Sequence, residues 1–481
     1  MASTPPSTTQ LKRVVRHQRP FADVAPMLAA ALILGAGGGL VLASILTVTQ
    51  ALRLPLGAWW LALAQAHGQL QIYGWIGLFV LGVALYFLPR LRGAPLIGAW
   101  GIPWILAGMA TALVMRTLSQ PLVALTDAVF WRALLVASGV LECVALVWAV
   151  GLLLATGRAG VPLRARPALW GILPFVAGAI IALSAAACVN LANCFLTASA
   201  HTGLVPGPGD DLNVTLGLLG FLVPMALAMS ARALPMYAGL DAFPRQALWP
   251  LAAIYQSGVL LLCVGTLGGL TATAWTRVAG GLGMLLSGGA LIAVVGMFLR
   301  LMRTRGRLPP RVMRLAPTPA LAARAYRSRV AIERTTYGPF VALIVSAFLW
   351  AILGGVLLVI DGIALALGGL LPVSLDAARH SLAIGFIVLL LCGVAPRLIP
   401  GFSGGHIRTS KLVTATLWLG NAAAFLRVVS LLAAPALASL GASPSAWGTA
   451  AFGLSGPIGL ALGICLAMNL WPALFPKRSD P

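Results

Sequence analysis

Twelve stretches of this chain are apolar for about 20 residues or more, and that recurrence limits the fold more than any motif does. A hydrocarbon core of about 30 Å is crossed by roughly 20 residues of helix. Backbone donors and acceptors in that core must be satisfied within the bilayer, which a helix does by itself and an open strand does not. The stretches predict helices near residues 24–49, 67–89, 95–117, 128–156, 168–198, 213–238, 247–270, 277–301, 336–360, 379–400, 411–438 and 450–475. With 60% of its 481 residues hydrophobic and only 9% charged, the chain could not cover a set of water-soluble domains. The expected fold class is an all-α membrane protein of 12 transmembrane helices. One transmembrane domain spans 23–476, with a basic tail at 1–22 and a short tail at 477–481. The first apolar run is too long for a signal-peptide core and no small-residue cleavage site follows it, so it is expected to remain as the first helix.

The charge balance, 32 Lys and Arg against 10 Asp and Glu, gives +22, and in such a chain the excess reads first as topology. Place the basic N-terminus (Lys12, Arg13, Arg16, Arg19) on the cytoplasmic side. Arg90, Arg92, Arg158, Arg245, the run from Arg300 to Arg334, Arg408 and Lys411 then fall inside, and Asp127, Asp210, Asp211, Asp361 and Asp376 fall outside. Both termini are then cytoplasmic, and the expected location is the cytoplasmic (inner) membrane, crossed many times, with the lipid bilayer as first partner. The longest connection, the basic segment 302–335, reads as a cytoplasmic loop in which Pro319 to Arg329 suits the surface of anionic lipid. It has no interleaved aromatics and no recognisable module, so no nucleic-acid partner is expected. The six cysteines lie in apolar runs without a C-x-x-C pair and read as small buried hydrophobes rather than a disulfide or zinc framework.

Three even-numbered helices can be laid over one another without a gap. Offsets of 146 and 311 residues pair His67 with Asn213 and Ala378, then Gly74 with Gly220 and Gly385, Ala84 with Ser230 and Ala395, Pro89 with Pro235 and Pro400, and Gly93 with Gly239 and Gly404. Each copy begins four helices after the last, and all three run the same way. The twelve helices therefore read as three parallel four-helix units about an axis along the membrane normal.

Packing alone could require that repeat, but it does not explain the histidines. Only five exist: His17 in the basic tail, His67, His201, His380 and His406. His67 and His380 are expected at the outer ends of inward-running helices, at one depth in the membrane. Two neutral imidazoles so placed can hold a haem iron from opposite faces. The bland alternative is a pair of interfacial histidines, each bonded to a carbonyl or to water.

These segments resemble a known family. His67 followed by Gly74, Gly82, Pro89 and Gly93 looks like the W-H-A-H-E-M-L-F-G…G…P…G segment of the NnrS family. Ser230-Ala-Arg-Ala-Leu-Pro-Met-Tyr237 resembles its G-R-x-I-P-M-F segment. His380-Ser-Leu-Ala-Ile-Gly385 followed by Gly405-His-Ile-Arg-Thr-Ser-Lys411 resembles H-A-L-T-x-G followed by G-H-T-G-R. That family consists of twelve-helix membrane haem-copper proteins related to haem-copper oxidase subunit I and linked to nitric oxide and denitrification. The resemblance implies a subunit I-like fold, one low-spin haem b near the outer face on His67 and His380, and electron transfer with a donor subunit or quinol. It also implies limits. The family's second histidine is Gln69 here and its glutamate is Leu70. The oxidases' high-spin haem ligand corresponds to Ala378, and Tyr255-Gln256 stands where the seventh helix would carry a histidine pair. Copper is thus the weaker cofactor candidate, a proton-pumping oxygen reductase is not expected, and whether the chain is an oxidoreductase subunit is left open by the resemblance. The alternative is a haem-free membrane scaffold or transporter that kept the fold.

The remaining polar residues are weighed against that site. Arg427 needs an anionic partner, which a haem propionate or a nearby carboxylate would provide equally well. Arg53, Arg116 and Arg379 are the other cations expected on the outer side. Glu142, an acid well inside a helix, is a proton relay or a protonated residue hydrogen-bonded within the bundle. His406, on the inner side, would bind a second cofactor or metal or cap the eleventh helix, and His201 beside Asp210 and Asp211 reads as a solvated histidine rather than a metal ligand.

Overall fold

The computed structural model describes residues 20–165, 167–237, 240–303, 318–439 and 446–476. Most of the two expected tails and part of the basic loop lie outside the described residues. The described chain is helical without a strand, and twelve helices are long and apolar enough to cross a membrane. They are α1 (Phe21–Ala51), α2 (Ala58–Arg92), α3 (Ala99–Thr126), α4 (Val129–Arg158), α5 (Leu173–Ala200), α6 (Gly207–Pro235), α7 (Arg245–Leu267), α8 (Ala274–Arg303), α9 (Phe340–Ala366), α10 (Leu375–Ser403), α11 (Ser410–Ala433) and α12 (Ala446–Leu474).

Local chemistry explains where helices stop and why two run longer than hydropathy predicts. Gly93 and Gly404 close α2 and α10 with φ of 64° and 72°, a left-handed cap that a Cβ would strain. The helix α2 begins at Ala58 rather than near residue 67, and α3 continues to Thr126 rather than ending near 117. The added turns carry Gln65, Ser119 and Gln120, which lower the average hydropathy of any window that includes them. Inside the bundle the two glutamines answer one another: the Gln120 side-chain amide donates to Gln65 Oε1 at 2.8 Å.

The three copies of the repeat form the interior. In α2, α6 and α10, 67%, 72% and 72% of the apolar span is buried, against 50% or less in the other nine helices. Those nine make three arcs, α3–α4–α5, α7–α8–α9 and α11–α12–α1, in which neighbours pack side by side. Each inner helix closes the gap between two arcs: α2 between α1 and α3, α6 between α5 and α7, α10 between α9 and α11. Three clefts result, each backed by one arc and bounded by two inner helices.

The repeat extends to the backbone. Leu70–Gly77, Thr215–Leu222 and Ser381–Val388 are all π-helical, and the offsets of 146 and 311 bring them into register to within one residue. A π turn widens the helix by one residue and shifts its hydrogen-bond register, a feature often found at functional sites. The equivalent glycines Gly74, Gly220 and Gly385 sit in these stretches. A methyl added there would stand 3.0, 2.7 and 2.6 Å from Leu113, Ala182 and Trp350.

In the arcs, close crossings rest on glycine as well. A Cβ at Gly258 of α7 would lie 2.5 Å from the Ser287 nitrogen and 2.8 Å from the Gly283 carbonyl of α8. Backbone cannot swing aside as a side chain can, so Gly258→Val is expected to cost about 1–3 kcal/mol of stability. Gly151→Val, where nothing lies within 4 Å, is expected to be neutral. Thermal unfolding of the purified protein compares the two.

The two ends of the bundle differ in charge. Arg90, Arg92, Arg158, Arg408 and the surface helix Pro319–Tyr337 mark an arginine-rich face. That helix is tied to α10 by Arg397, which pairs with Glu333 at 3.3 Å and lies over the Tyr337 ring at 4.9 Å. The turns after α1, α3, α5, α7 and α9 form the arginine-poor face.

Candidate functional site

The cleft between α2 and α10, backed by α11–α12–α1, holds the two histidines. Neither stands at a helix mouth as expected: His67 is nine residues into α2 and His380 five into α10. Both are half-buried, and His67 lies within electrostatic range of His380, Asp376 and Arg427. Tertiary packing thus brings together two side chains that are 313 residues apart in the sequence.

Each imidazole is held by the same nitrogen. His67 Nδ1 is 2.8 Å from the carbonyl of Gly39, the last residue of a π-helical stretch in α1 (Leu34–Gly39). His380 Nδ1 is 2.9 Å from the Asp376 carbonyl, one turn earlier on α10. An imidazole that donates from Nδ1 carries its lone pair on Nε2. Among the described residues neither Nε2 has a hydrogen-bond partner, so each ring is fixed in orientation with its free nitrogen available.

His380 has further support that sequence reading missed. The Asp376 carboxylate lies 3.1 Å from His380 Nδ1 and accepts from Arg427 at 3.2 Å, linking α11 to α10 through a carboxylate. Arg427 also stacks over Phe452 of α12 at 4.3 Å, and its Nε is buried without a partner. Of the two partners left open for Arg427, a carboxylate is present. The spacing of Asp376 and His380, i and i+4 on one helix face, is the signal that would have found it.

Arg379 donates to Asp211 of α6 at 2.7 Å. Arg53 is exposed in the turn after α1, with φ of 54°, apart from the pair's hydrogen-bonded partners. His406 is exposed on the connection from α10 to α11 at the arginine-rich face. His201 is not free in solvent: Nδ1 meets Asp127 at 2.8 Å and Nε2 meets Arg132, a lock across two turns of the arginine-poor face that leaves no nitrogen for a metal.

The other two clefts have different linings. Between α6 and α10, Ala378 faces Val214, Thr215, Leu218, Leu219, Leu262 and Leu382 around a cavity of only about 10 Å³. That volume admits a single water at most, far below the 300 Å³ or more of a typical cofactor site. Between α2 and α6 lies a polar cluster built from five helices. Its centre is Glu142 of α4, which accepts from Gln69 of α2 at 2.6 Å and from Asn190 of α5 at 3.0 Å. Arg116 of α3, expected among the outer-side cations, is instead 1% exposed inside the bundle and donates to Asn190, Gln120 and Cys194.

Among the described residues no three His, Cys, Asp or Glu side chains converge on one metal-sized space. A metal at the histidine pair would have to bring most of its own ligands, as the iron of a tetrapyrrole does. The residues fit that requirement: two half-buried imidazoles, each anchored at Nδ1 and unpartnered at Nε2, lie within electrostatic range of one another, with Arg427 and Arg379 around Asp376.

No protein-family model and no curated protein matches the sequence. A solved structure does: a chain of a haem-copper terminal oxidase dimer, determined by cryo-EM, matches with a TM-score of 0.64 at 10% identity. The match covers 95% of this chain and 85% of that one. At that identity the likeness concerns the fold alone.

Proposed function

We propose that this multi-pass membrane protein, built on the fold of haem-copper terminal oxidases, holds one b-type haem through His67 and His380 and serves electron transfer in nitric-oxide or respiratory metabolism. The observation that carries this reading is the matched state of the two imidazoles, each anchored at Nδ1 by a main-chain carbonyl and free at Nε2. The haem would supply a one-electron couple in a site of low dielectric. His67 and His380 would both hold the iron, which suits electron storage and transfer rather than substrate activation. One haem rather than two is supported by Ala378, which offers no ligand where the oxidases that the chain resembles carry their high-spin haem histidine. The Arg427–Asp376 pair holds the His380 ring, and Arg379 and Arg53 are further cations toward the arginine-poor end. By the positive-inside rule that end faces outward, where a donor subunit or quinol would deliver electrons.

A haem assay of protein purified in detergent tests the reading. One non-covalent haem b per chain is expected. Haem-free protein from cells well supplied with haem would overturn it and favour the scaffold or transporter. Asp376→Asn provides a finer check. It removes the charge that both His380 and Arg427 face, and groups that orient a metal-bound histidine typically account for 10- to 100-fold in affinity. Haem retention during dilution is expected to fall by about that factor.

A further inference from the structure

The cleft between α2 and α6 carries an acid that electron transfer at the histidines does not use. Glu142 is fully buried, and two hydrogen-bonded arms converge on it. In the first, Arg116 donates to Asn190 Oδ1 and Asn190 Nδ2 donates to Glu142. A guanidinium can only donate, so this arm has one direction. In the second, Tyr73 donates to Asn213 Oδ1 (3.2 Å), Asn213 Nδ2 to Gln69 Oε1 (2.7 Å) and Gln69 Nε2 to Glu142 (2.6 Å).

The second arm can be reversed. Half a turn of each amide would let a protonated Glu142 donate to Gln69 Oε1, Gln69 Nε2 donate to Asn213 Oδ1, and Asn213 Nδ2 donate to the Tyr73 oxygen. The Tyr73 hydroxyl would then keep the acceptor it already has 3.2 Å away, the main-chain carbonyl of Asn213. Glu142, Gln69, Asn213 and Tyr73 each keep a hydrogen-bond partner in both directions, so binding a proton strands none of these side chains.

The surroundings differ toward the two faces. Toward the arginine-rich face the buried neighbours along α3, α4 and α5 are Leu113, Met109, Leu146, Ala149, Ala186 and Leu183, all apolar. Toward the arginine-poor face the buried Gln120, Asn193 and Thr197 stand beside a small apolar cluster of Val123, Leu135 and Cys194, and Gln120 donates to the half-buried Gln65 of α2, which reaches the main chain of Val205 in the turn after α5. The titratable and charged groups around Glu142 are Tyr73 on α2, Arg116 on α3, Cys143 on its own helix, Cys194 on α5 and, through Tyr73 and Arg116, Asp210 on α6.

We propose that Glu142 is a proton-binding site that exchanges with the aqueous phase at the arginine-poor face and is switched by reversal of the Gln69–Asn213–Tyr73 arm. The step is acid–base only: hydronium gives its proton to the carboxylate, one O–H bond forms, water departs and nothing is oxidised or reduced.

Infrared difference spectra across pH steps, on the full chain in phosphatidylethanolamine–phosphatidylglycerol vesicles, test this. A carboxylic C=O band is expected to grow on acidification and to be missing in Glu142→Gln. Side-chain amide bands, identified by labelling Gln and Asn with carbon-13, are expected to change with it in the unmodified chain. Gln69→Leu removes a bond that is stronger to the carboxylate than to the neutral acid, so it is expected to tighten proton binding about tenfold. With the arginine-poor face outward the band follows an external pH step at once; with the other face outward it follows only after a protonophore is added. A spectrum with no band lost in Glu142→Gln, or amide bands that do not move with it, would overturn the proposal. So would a band that follows pH from the arginine-rich side without protonophore.

Discussion

Alanine at His67 or at His380 is expected to abolish the six-coordinate low-spin spectrum of the purified protein, each substitution by itself. The effect would be all-or-none because, on the proposed reading, the two side chains would hold the iron together and neither has a neighbouring histidine to replace it. The next histidines, His201 and His406, sit in a turn of the arginine-poor face and on a connection at the arginine-rich face. Two further readouts separate ligand loss from misfolding. Added imidazole is expected to restore six-coordination in His380→Ala by entering the space that the ring vacates. His201→Ala is expected to leave the spectrum unchanged while loosening the Asp127–Arg132 turn. A low-spin spectrum that persists in both His67→Ala and His380→Ala would remove these residues as ligands.

The second large effect concerns Arg116. Its guanidinium is 1% exposed and reaches the fully buried Glu142 only through Asn190. Arg116→Met would leave that carboxylate without its counter-charge in a low-dielectric interior, a change that typically costs about 3–5 kcal/mol. The double variant Arg116→Met with Glu142→Gln carries no uncompensated charge and is expected to recover most of the loss, so the two substitutions should be far from additive. Protonation of Glu142 in the single variant would neutralise the stranded charge, so its penalty is expected to shrink as pH falls. Thermal unfolding of the four proteins at two pH values reads all of this, and additive losses would show that the two residues do not share one network.

How much of this was legible in the sequence depends on the level of description. The twelve helices were, because bilayer length and hydrophobicity are properties of a single segment. So was the threefold repeat, since glycine and proline keep their spacing wherever a backbone needs close approach or an end. The start of α2 and the end of α3 were not: Gln65, Ser119 and Gln120 count against a helix in any hydropathy average, yet inside the bundle Gln65 and Gln120 bond to one another. The π-helical stretches left no sequence signal beyond the shared glycines. Of the site, rarity singled out His67 and His380; the Gly39 anchor of His67 came only from packing, while the Asp376 anchor of His380 had its i, i+4 spacing as a signal. Arg116 and Glu142 were each visible as odd charges. That they answer one another through Asn190 required three helices to meet, and no single window of sequence contains that fact.

The claim on which the rest depends is that one iron lies between His67 and His380. Near-infrared magnetic circular dichroism of the oxidised, purified protein tests it most directly, because that transition reports the pair of axial ligands rather than the mere presence of haem. The account predicts a bis-imidazole signal at one haem per chain. A five-coordinate or single-imidazole signal, or protein without haem, would contradict it.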